Sequence, residues 1–241
     1  MTFSLSGLPA TGGLQTISES LPKMRKAAEI ADTAVAREVT QAVHAALAEQ
    51  RVVGAVVLVY QNGRPLCRLA AGWADREAQT AMAQNAVFRW ASVSKPVVSA
   101  AVMRLVAQGR ITLGAPVTTW LPDFRPRLPE GGEAHITVRQ LLSHTAGLGY
   151  RFFEADGQGP YAKARVSDGM DASGIDLQEN LRRIASVPLL YAPGTGWGYS
   201  LGVDVLGGVV EAVCGMRLPQ AVEELVTRPL GMVDAGFVCR D

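Results

Sequence analysis

One short segment near the N-terminus constrains the fold of this chain more than any other. Two runs of apolar and β-branched residues, at positions 52–60 and 66–71, flank residues 61–65, which contain Asn62-Gly63. Asn-Gly is a strong signal for a β-hairpin, because both residues tolerate the positive φ angles of a two-residue turn. The segment therefore predicts an antiparallel hairpin.

The rest of the chain is patterned mostly as helices. Apolar residues recur at helical spacing between positions 35 and 47, with Asp32 as the expected N-terminal cap. Thr137 and Gln140 have the spacing of a capping box. Further helices are predicted over residues 92–108, 137–142, 176–184, 200–213 and 219–226. A helix, a hairpin and a mostly helical remainder predict an α+β fold.

Two segments lack clear periodicity. Residues 1–27 are expected to form an N-terminal arm, so that the folded domain would span residues 28–241. Residues 150–174 are rich in Gly and Asp, and they predict a long surface excursion.

Composition limits the partners and the compartment. The formal net charge is +1, and no basic patch with interleaved aromatic residues occurs, so we expect no nucleic-acid partner. The longest apolar runs are too short to span a bilayer, and residues 1–20 lack the pattern of a signal peptide. We therefore expect a cytoplasmic protein without a membrane partner. The three cysteines match no metal-ligand spacing, and no disulfide, metal or organic cofactor is expected.

Ser92 and Lys95 are the first candidate for chemistry. They are separated by three positions at a predicted helix start, so their side chains share one face of the helix. The positive end of the helix dipole and apolar flanking residues both disfavour a protonated lysine. The spacing therefore predicts a serine nucleophile beside a neutral lysine that can accept its proton.

The surrounding residues carry a family resemblance. Residues 88–96, FRWASVSKP, resemble the nucleophile segment of the serine β-lactamase and penicillin-binding protein superfamily, above all its class C-like esterase branch, the family VIII carboxylesterases. Residues 136–148, ITVRQLLSHTAGL, are similar to a further segment of that family, which is mainly structural. The resemblance implies a β-lactamase/DD-peptidase-like fold.

The same resemblance implies a tyrosine base. Residues 193–200, PGTGWGYS, look like the segment that leads into the family's Tyr-x-Asn element, with Tyr199 at the tyrosine position. A phenol can act as a base there only if a neighbouring cation lowers its pKa, and Lys95 would be that cation. Leu201 stands where the family has asparagine, which argues for an esterase over a β-lactamase. Trp197 and Leu201 are the expected substrate-binding residues.

Other candidate residues give weaker alternatives. Ser200 lies in a Gly-x-Ser-x-Gly pattern, but no histidine occurs after His144, so the chain order of an α/β-hydrolase triad is not met. We expect Ser200 to cap a helix. His144 is expected to make local hydrogen bonds in a turn, and His44 and His135 have no candidate ligand sets.

The family's third element is a late strand that carries Lys/His-Thr/Ser-Gly and supplies part of the oxyanion hole. No lysine, histidine or strand pair follows Gly215, so the sheet is expected to contain only its N-terminal hairpin. A fragment of a larger gene product is the favoured interpretation, with a partnered or inert chain as alternatives. The uncovered sheet edge predicts possible self-association.

These observations predict a serine hydrolase that cleaves small carboxylic esters through an acyl-enzyme on Ser92, with Lys95 and Tyr199 moving the proton. A β-lactamase or DD-peptidase-like enzyme acting on a lactam or peptide is the first alternative. A catalytically inert fragment or binding protein is the second.

Overall fold

The computed structural model describes residues 33–171 and 173–237. The chain divides into two compact units, Met1–Phe88 and Arg89–Asp241. The predicted boundary between residues 27 and 28 lies outside the described residues.

The N-terminal unit begins with helix α1, Ala34–Ala48. Thr33 caps it, because its Oγ1 atom accepts a hydrogen bond of 3.0 Å from the backbone N–H of Ala36. The same hydroxyl donates to the carbonyl of Leu66 at 3.2 Å and so ties the helix to the sheet. The expected cap, Asp32, lies outside the described residues.

The hairpin prediction is confirmed. Strands β1 (Gly54–Gln61) and β2 (Arg64–Asp75) are antiparallel, and the turn between them has φ angles of 50° at Asn62 and 74° at Gly63. Both angles are positive, as a type I′ turn requires. The prediction of a hairpin alone is wrong, because a third strand, β3 (Thr80–Ala81), pairs with the end of β2 in the order β1-β2-β3.

The C-terminal unit is helical. Its helices are α2 (Ser94–Ala107), α3 (Val138–Leu142), α4 (Pro160–Lys163), α5 (Leu177–Ala185), α6 (Gly202–Cys214) and α7 (Leu218–Val222), followed by one π turn (Glu223–Thr227). Helix α6 is buried along most of its length and contacts α2, α3, α5 and α7. The apolar core of this unit therefore surrounds α6.

Local signals predicted several of these helix ends. Thr137 and Gln140 form the expected capping box of α3, and Asp176 accepts a hydrogen bond from the N–H of Glu179 to cap α5. Gly109 and Gly215 follow α2 and α6 in the left-handed conformation, with φ angles of 71° and 68°.

Two predictions need correction. Helix α6 begins at Gly202, and its N-cap position is Leu201, so Ser200 is not the cap. The segment 150–174 is anchored in the core rather than a plain surface excursion, because Tyr161 is buried and its hydroxyl accepts a hydrogen bond of 2.8 Å from the N–H of Gly149.

Among the described residues, no single helix has both the length and the apolar character needed to cross a membrane. The pair Gly202–Cys214 and Leu218–Thr227 passes that test only when its two members are joined across a bend of 82°.

Gly72 provides a test of the N-terminal unit. Its φ angle is 79°, and a Cβ atom there would lie 2.4 Å from the carbonyl oxygen of Val53 and 2.7 Å from a methyl group of Leu47. Gly72→Ala should lower the free energy of unfolding by about 3 kcal/mol, because overpacking adds to the cost of the left-handed conformation. Gly63→Ala is the matched control, with a φ angle of 74° but open space around its Cβ position, and it should cost about 1 kcal/mol. Urea unfolding followed by circular dichroism measures both; equal losses would contradict the close packing at Gly72.

Candidate active site

Ser92 lies on a single 3₁₀ turn, Ala91–Val93, immediately before α2. Ala91 has a φ angle of 44°, which is unusual for a residue with a side chain and marks a constrained backbone next to Ser92. The Lys95 Nζ atom lies 3.5 Å from the Ser92 Oγ atom. The structure therefore brings Ser92 and Lys95 together, and it leaves Ser92 exposed.

Tyr199 joins this pair from a distant part of the sequence. The Lys95 Nζ atom lies 5.1 Å from the centroid of the Tyr199 ring. The chain around Tyr199 is fixed by two backbone hydrogen bonds, from Gly198 N–H to the carbonyl of His144 (3.0 Å) and from Leu201 N–H to the carbonyl of Gly149 (3.3 Å). The segment after α3 therefore positions Tyr199 next to Lys95.

Tyr150 is a site residue that the sequence reasoning missed. It is buried, with 4 % of its surface exposed, and its ring lies 5.4 Å from the Lys95 Nζ atom and stacks at 5.4 Å on the ring of Tyr199. The one sequence feature that could have indicated Tyr150 is its position, two residues after the family-like segment 136–148.

The ionisation of Lys95 and Tyr199 is shifted in opposite directions. Burial is the largest influence on Tyr199 and opposes ionisation, but hydrogen bonds from Ser92 and Lys95 and the charge of Lys95 outweigh it, so the pKa of Tyr199 is lowered. Burial likewise works to lower the pKa of Lys95, but hydrogen bonds with Tyr150 and Tyr199 outweigh it, so this pKa is raised. The prediction of a neutral Lys95 is wrong, because both tyrosines stabilise its ammonium form.

Tyr150 behaves differently from Tyr199. Burial raises the pKa of Tyr150 to about 12, although Lys95 acts in the opposite direction. Tyr150 therefore stays protonated near neutral pH and can donate a hydrogen bond to an ionised Tyr199. Burial also raises the pKa of Asp204, in the first turn of α6, to about 6, despite the opposing charge of Lys95.

His144 contacts the segment that carries Tyr199. It adopts a φ angle of 56°, and its Nδ1 atom accepts a hydrogen bond of 3.2 Å from the N–H of Ser200, which lies 56 positions away. The expectation of local hydrogen bonds is therefore corrected. Burial and the charge of Lys95 lower the pKa of His144, which favours the neutral ring. The ring lies 5.0 Å from that of Tyr199 and helps to hold the tyrosine in place.

The two expected substrate-binding residues have different surroundings. Trp197 is 68 % exposed, and its ring lies 6.4 Å from that of His144. Leu201 has no exposed surface and lies in the core around α6, so its assignment to substrate binding is corrected to a packing role.

The arrangement combines an exposed hydroxyl, a phenol with a lowered pKa and an ammonium group between two tyrosines. Such a set can remove the proton of Ser92 and keep the resulting phenol close to a leaving group. A protein-family model described as Beta-lactamase matches residues 39–240. The chain belongs to the beta-lactamase family.

Individual relatives and solved structures are similar to this chain. Esterase EstB from Burkholderia gladioli is 55 % identical over 193 residues, which are 80 % of this chain and 49 % of EstB. The structure of EstCE1, described as a hydrolase with promiscuous acyltransferase activity, matches with a TM-score of 0.81 and 43 % identity, over 84 % of this chain and 53 % of that one. A penicillin-binding protein homologue from Pyrococcus abyssi, 22 % identical, shares the fold with a TM-score of 0.67, over 83 % of this chain and 44 % of its own.

These matches confirm the predicted α+β, β-lactamase/DD-peptidase-like fold, and the relatives that they include are named esterases. The chain spans about half the length of the relatives it matches.

The role of Tyr150 can be tested through its hydroxyl. Tyr150→Phe removes a hydrogen bond that lowers the pKa of Tyr199, so the base form of Tyr199 should appear only at higher pH. The rate at which a fluorophosphonate reacts with Ser92 should fall by about 10- to 100-fold near neutral pH. The rising limb of its pH profile should move to higher pH.

Tyr161→Phe is the matched control for this variant. Tyr161 is a second buried tyrosine whose pKa burial raises to about 12, but its hydroxyl bonds to the backbone of Gly149. The Tyr161→Phe variant should leave the midpoint of the labelling pH profile unchanged. A Tyr150→Phe protein with the original midpoint would show that Tyr150 only packs against Tyr199.

Proposed function

We propose that this chain carries the catalytic residues of a serine hydrolase that cleaves small carboxylic esters through an acyl-enzyme. The convergence of Ser92, Lys95 and Tyr199 is the observation that carries the proposal, together with the lowered pKa of Tyr199 beside the ammonium of Lys95. Ser92 is the nucleophile, Tyr199 the general base, and Lys95 the cation that stabilises the phenolate.

In the acylation step, Tyr199 takes the proton of Ser92 while the Ser92 Oγ atom attacks the ester carbonyl. The bond between the carbonyl carbon and the alcohol oxygen then breaks, and Tyr199 gives the proton to that oxygen. Water repeats the sequence on the acyl-enzyme and releases the acid. Tyr150 keeps its proton throughout and holds Lys95 and Tyr199 in contact.

The ester class is supported by similarity to an esterase and by the environment of Leu201. Esterase EstB is 55 % identical to the matched part of this chain. The family's asparagine position is occupied here by Leu201, whose side chain is apolar as well as buried and therefore offers no polar group to the amide of a lactam substrate. Lactam or peptide hydrolysis is the alternative, and an inert fragment or binding protein is the outcome if Ser92 does not react.

No metal or organic cofactor enters this proposal. A cytoplasmic location, the absence of a nucleic-acid partner and the absence of a membrane partner stay predictions from charge and composition.

Covalent labelling tests the nucleophile directly. A fluorophosphonate should attach to Ser92, as peptide mass spectrometry would show, and Ser92→Ala should abolish labelling. Ser94→Ala, two residues away, and Ser200→Ala, within the Gly-x-Ser-x-Gly pattern, should both still be labelled. Folded protein without label at Ser92, or with label at Ser200, would overturn the proposal.

We also propose that the chain self-associates through β1. This strand ends the order β1-β2-β3, and among the described residues it pairs on one side only. Leu58 and Tyr60 on β1 are each 51 % exposed. An unpaired edge with apolar side chains can accept a strand from a second copy.

Sedimentation velocity checks this proposal. Leu58→Lys should shift the protein from dimers or larger species toward the monomer, because a charge at the edge disfavours pairing. Leu230→Lys, at another exposed leucine outside the sheet, should leave the distribution unchanged. A wild-type protein that is monomeric at high micromolar concentration would contradict self-association.

A further inference from the structure

Two phenylalanines lie exposed close to the proposed catalytic residues. Phe152 is 51 % exposed and Phe153 is 65 % exposed, and both lie on the 3₁₀ turn Arg151–Phe153 that follows Tyr150. Full burial of a Phe side chain is worth about 1.5–3 kcal/mol. Adjacent aromatic rings left in solvent beside a reactive group are typical of a ligand-binding surface.

These rings are continuous with the catalytic tyrosine. Phe152 stacks on Tyr150 at 4.5 Å, Phe153 meets Phe152 edge to face at 4.4 Å, and Tyr150 stacks on Tyr199 at 5.4 Å. An unbroken row of rings therefore leads from Tyr199 to solvent. Phe152 and Phe153 are together called the aromatic platform, and the buried Tyr150 joins them to Tyr199.

The turn that carries the platform is held in place on both sides. Arg151 forms an ion pair of 3.1 Å with Asp171, whose second carboxylate oxygen accepts a hydrogen bond of 2.6 Å from Ser167. Glu154, the next residue after the turn, accepts hydrogen bonds from the backbone N–H groups of Tyr161 and Ala162 at 2.6 and 2.9 Å. The rings are thus presented on a fixed turn, which reduces the entropy lost on binding a ligand.

The proton transfer to the leaving alcohol determines which part of the ester lies next to the platform. The tyrosine that removes the proton of Ser92 must return it to the alcohol oxygen, which has to lie within about 2.6–3.2 Å of the Tyr199 hydroxyl. The substituent on that oxygen therefore starts beside the ring of Tyr199. The row of rings continues from there through Tyr150. The acyl group, in contrast, stays bonded to Ser92.

We infer that the aromatic platform binds the alcohol portion of the ester and selects for an aromatic ring in that portion, such as a benzyl group. The inference rests on the proposed esterase function and adds a substrate class to it. Offset stacking and edge-to-face contacts with Phe152 and Phe153 provide the selectivity, since they favour a flat ring over a saturated ring of similar size. Trp197 contacts the ring of His144 rather than the platform, so it should have no part in this preference.

Two acetate esters test the inference. Benzyl acetate and cyclohexylmethyl acetate form the same acetyl-enzyme, so a difference in kcat/KM arises in binding and acylation. The wild-type protein should favour benzyl acetate. Phe152→Ala and Phe153→Ala should each reduce the benzyl-to-cyclohexylmethyl ratio by about two- to tenfold, and comparison between variants cancels the intrinsic reactivity of the esters.

Three comparisons complete the experiment. Leu230→Ala removes another exposed apolar side chain, 68 % exposed and on the turn after the last helix, and should leave the ratio unchanged. Trp197→Ala should also leave it unchanged. Methyl phenylacetate and methyl cyclohexylacetate place the ring in the acyl group, and their ratio should be insensitive to both phenylalanine variants.

The outcomes separate the two proposals. If Ser92 is labelled and acetates are hydrolysed, but the benzyl preference is absent or survives both phenylalanine substitutions, the platform inference is overturned and the esterase proposal stands. A preference that is lost in Trp197→Ala, or that follows the acyl ring, also overturns it. If Ser92 neither reacts with a fluorophosphonate nor turns over any ester, the proposed function fails and the inference fails with it.

Discussion

The candidate site depends on the hydrogen bonding of residues 198–201 to residues 144–149. The N–H groups of Gly198 and Leu201 donate to carbonyls in the segment after α3, and Ser200 donates to the ring of His144. These bonds place Tyr199 close to the N-terminal end of α2, where Lys95 and Ser92 lie. Helix α6 then leads from this point into the centre of the core, so the site and the core are fixed together.

The charge of Lys95, together with burial, sets the protonation of the surrounding groups. Its ammonium lies close to two tyrosine rings, but burial is much stronger at Tyr150, whose pKa rises to about 12, while the pKa of Tyr199 falls. One phenol can therefore act as a base and the other as a permanent donor. Burial and the same charge lower the pKa of His144, whose neutral ring can accept the hydrogen bond from the N–H of Ser200.

Tyr150 also links the proposed catalytic residues to the proposed binding surface. One neighbour of its ring is the proposed base Tyr199, and another is the exposed Phe152. Only the ring of Tyr150 therefore lies between the aromatic platform and the ring of Tyr199. In the proposed reaction, binding energy at Phe152 and Phe153 would contribute to the orientation of the reacting ester.

The sequence by itself determined features that depend on a few neighbouring residues: the turn at Asn62-Gly63, the capping box at Thr137, the proximity of Ser92 and Lys95, and the family. Only the tertiary structure decided the protonation of Lys95, the role of Tyr150 and the burial of Leu201. Local geometry follows from backbone preferences and helix spacing. A pKa or a buried contact depends on groups that are distant in sequence, and only the folded chain brings them together.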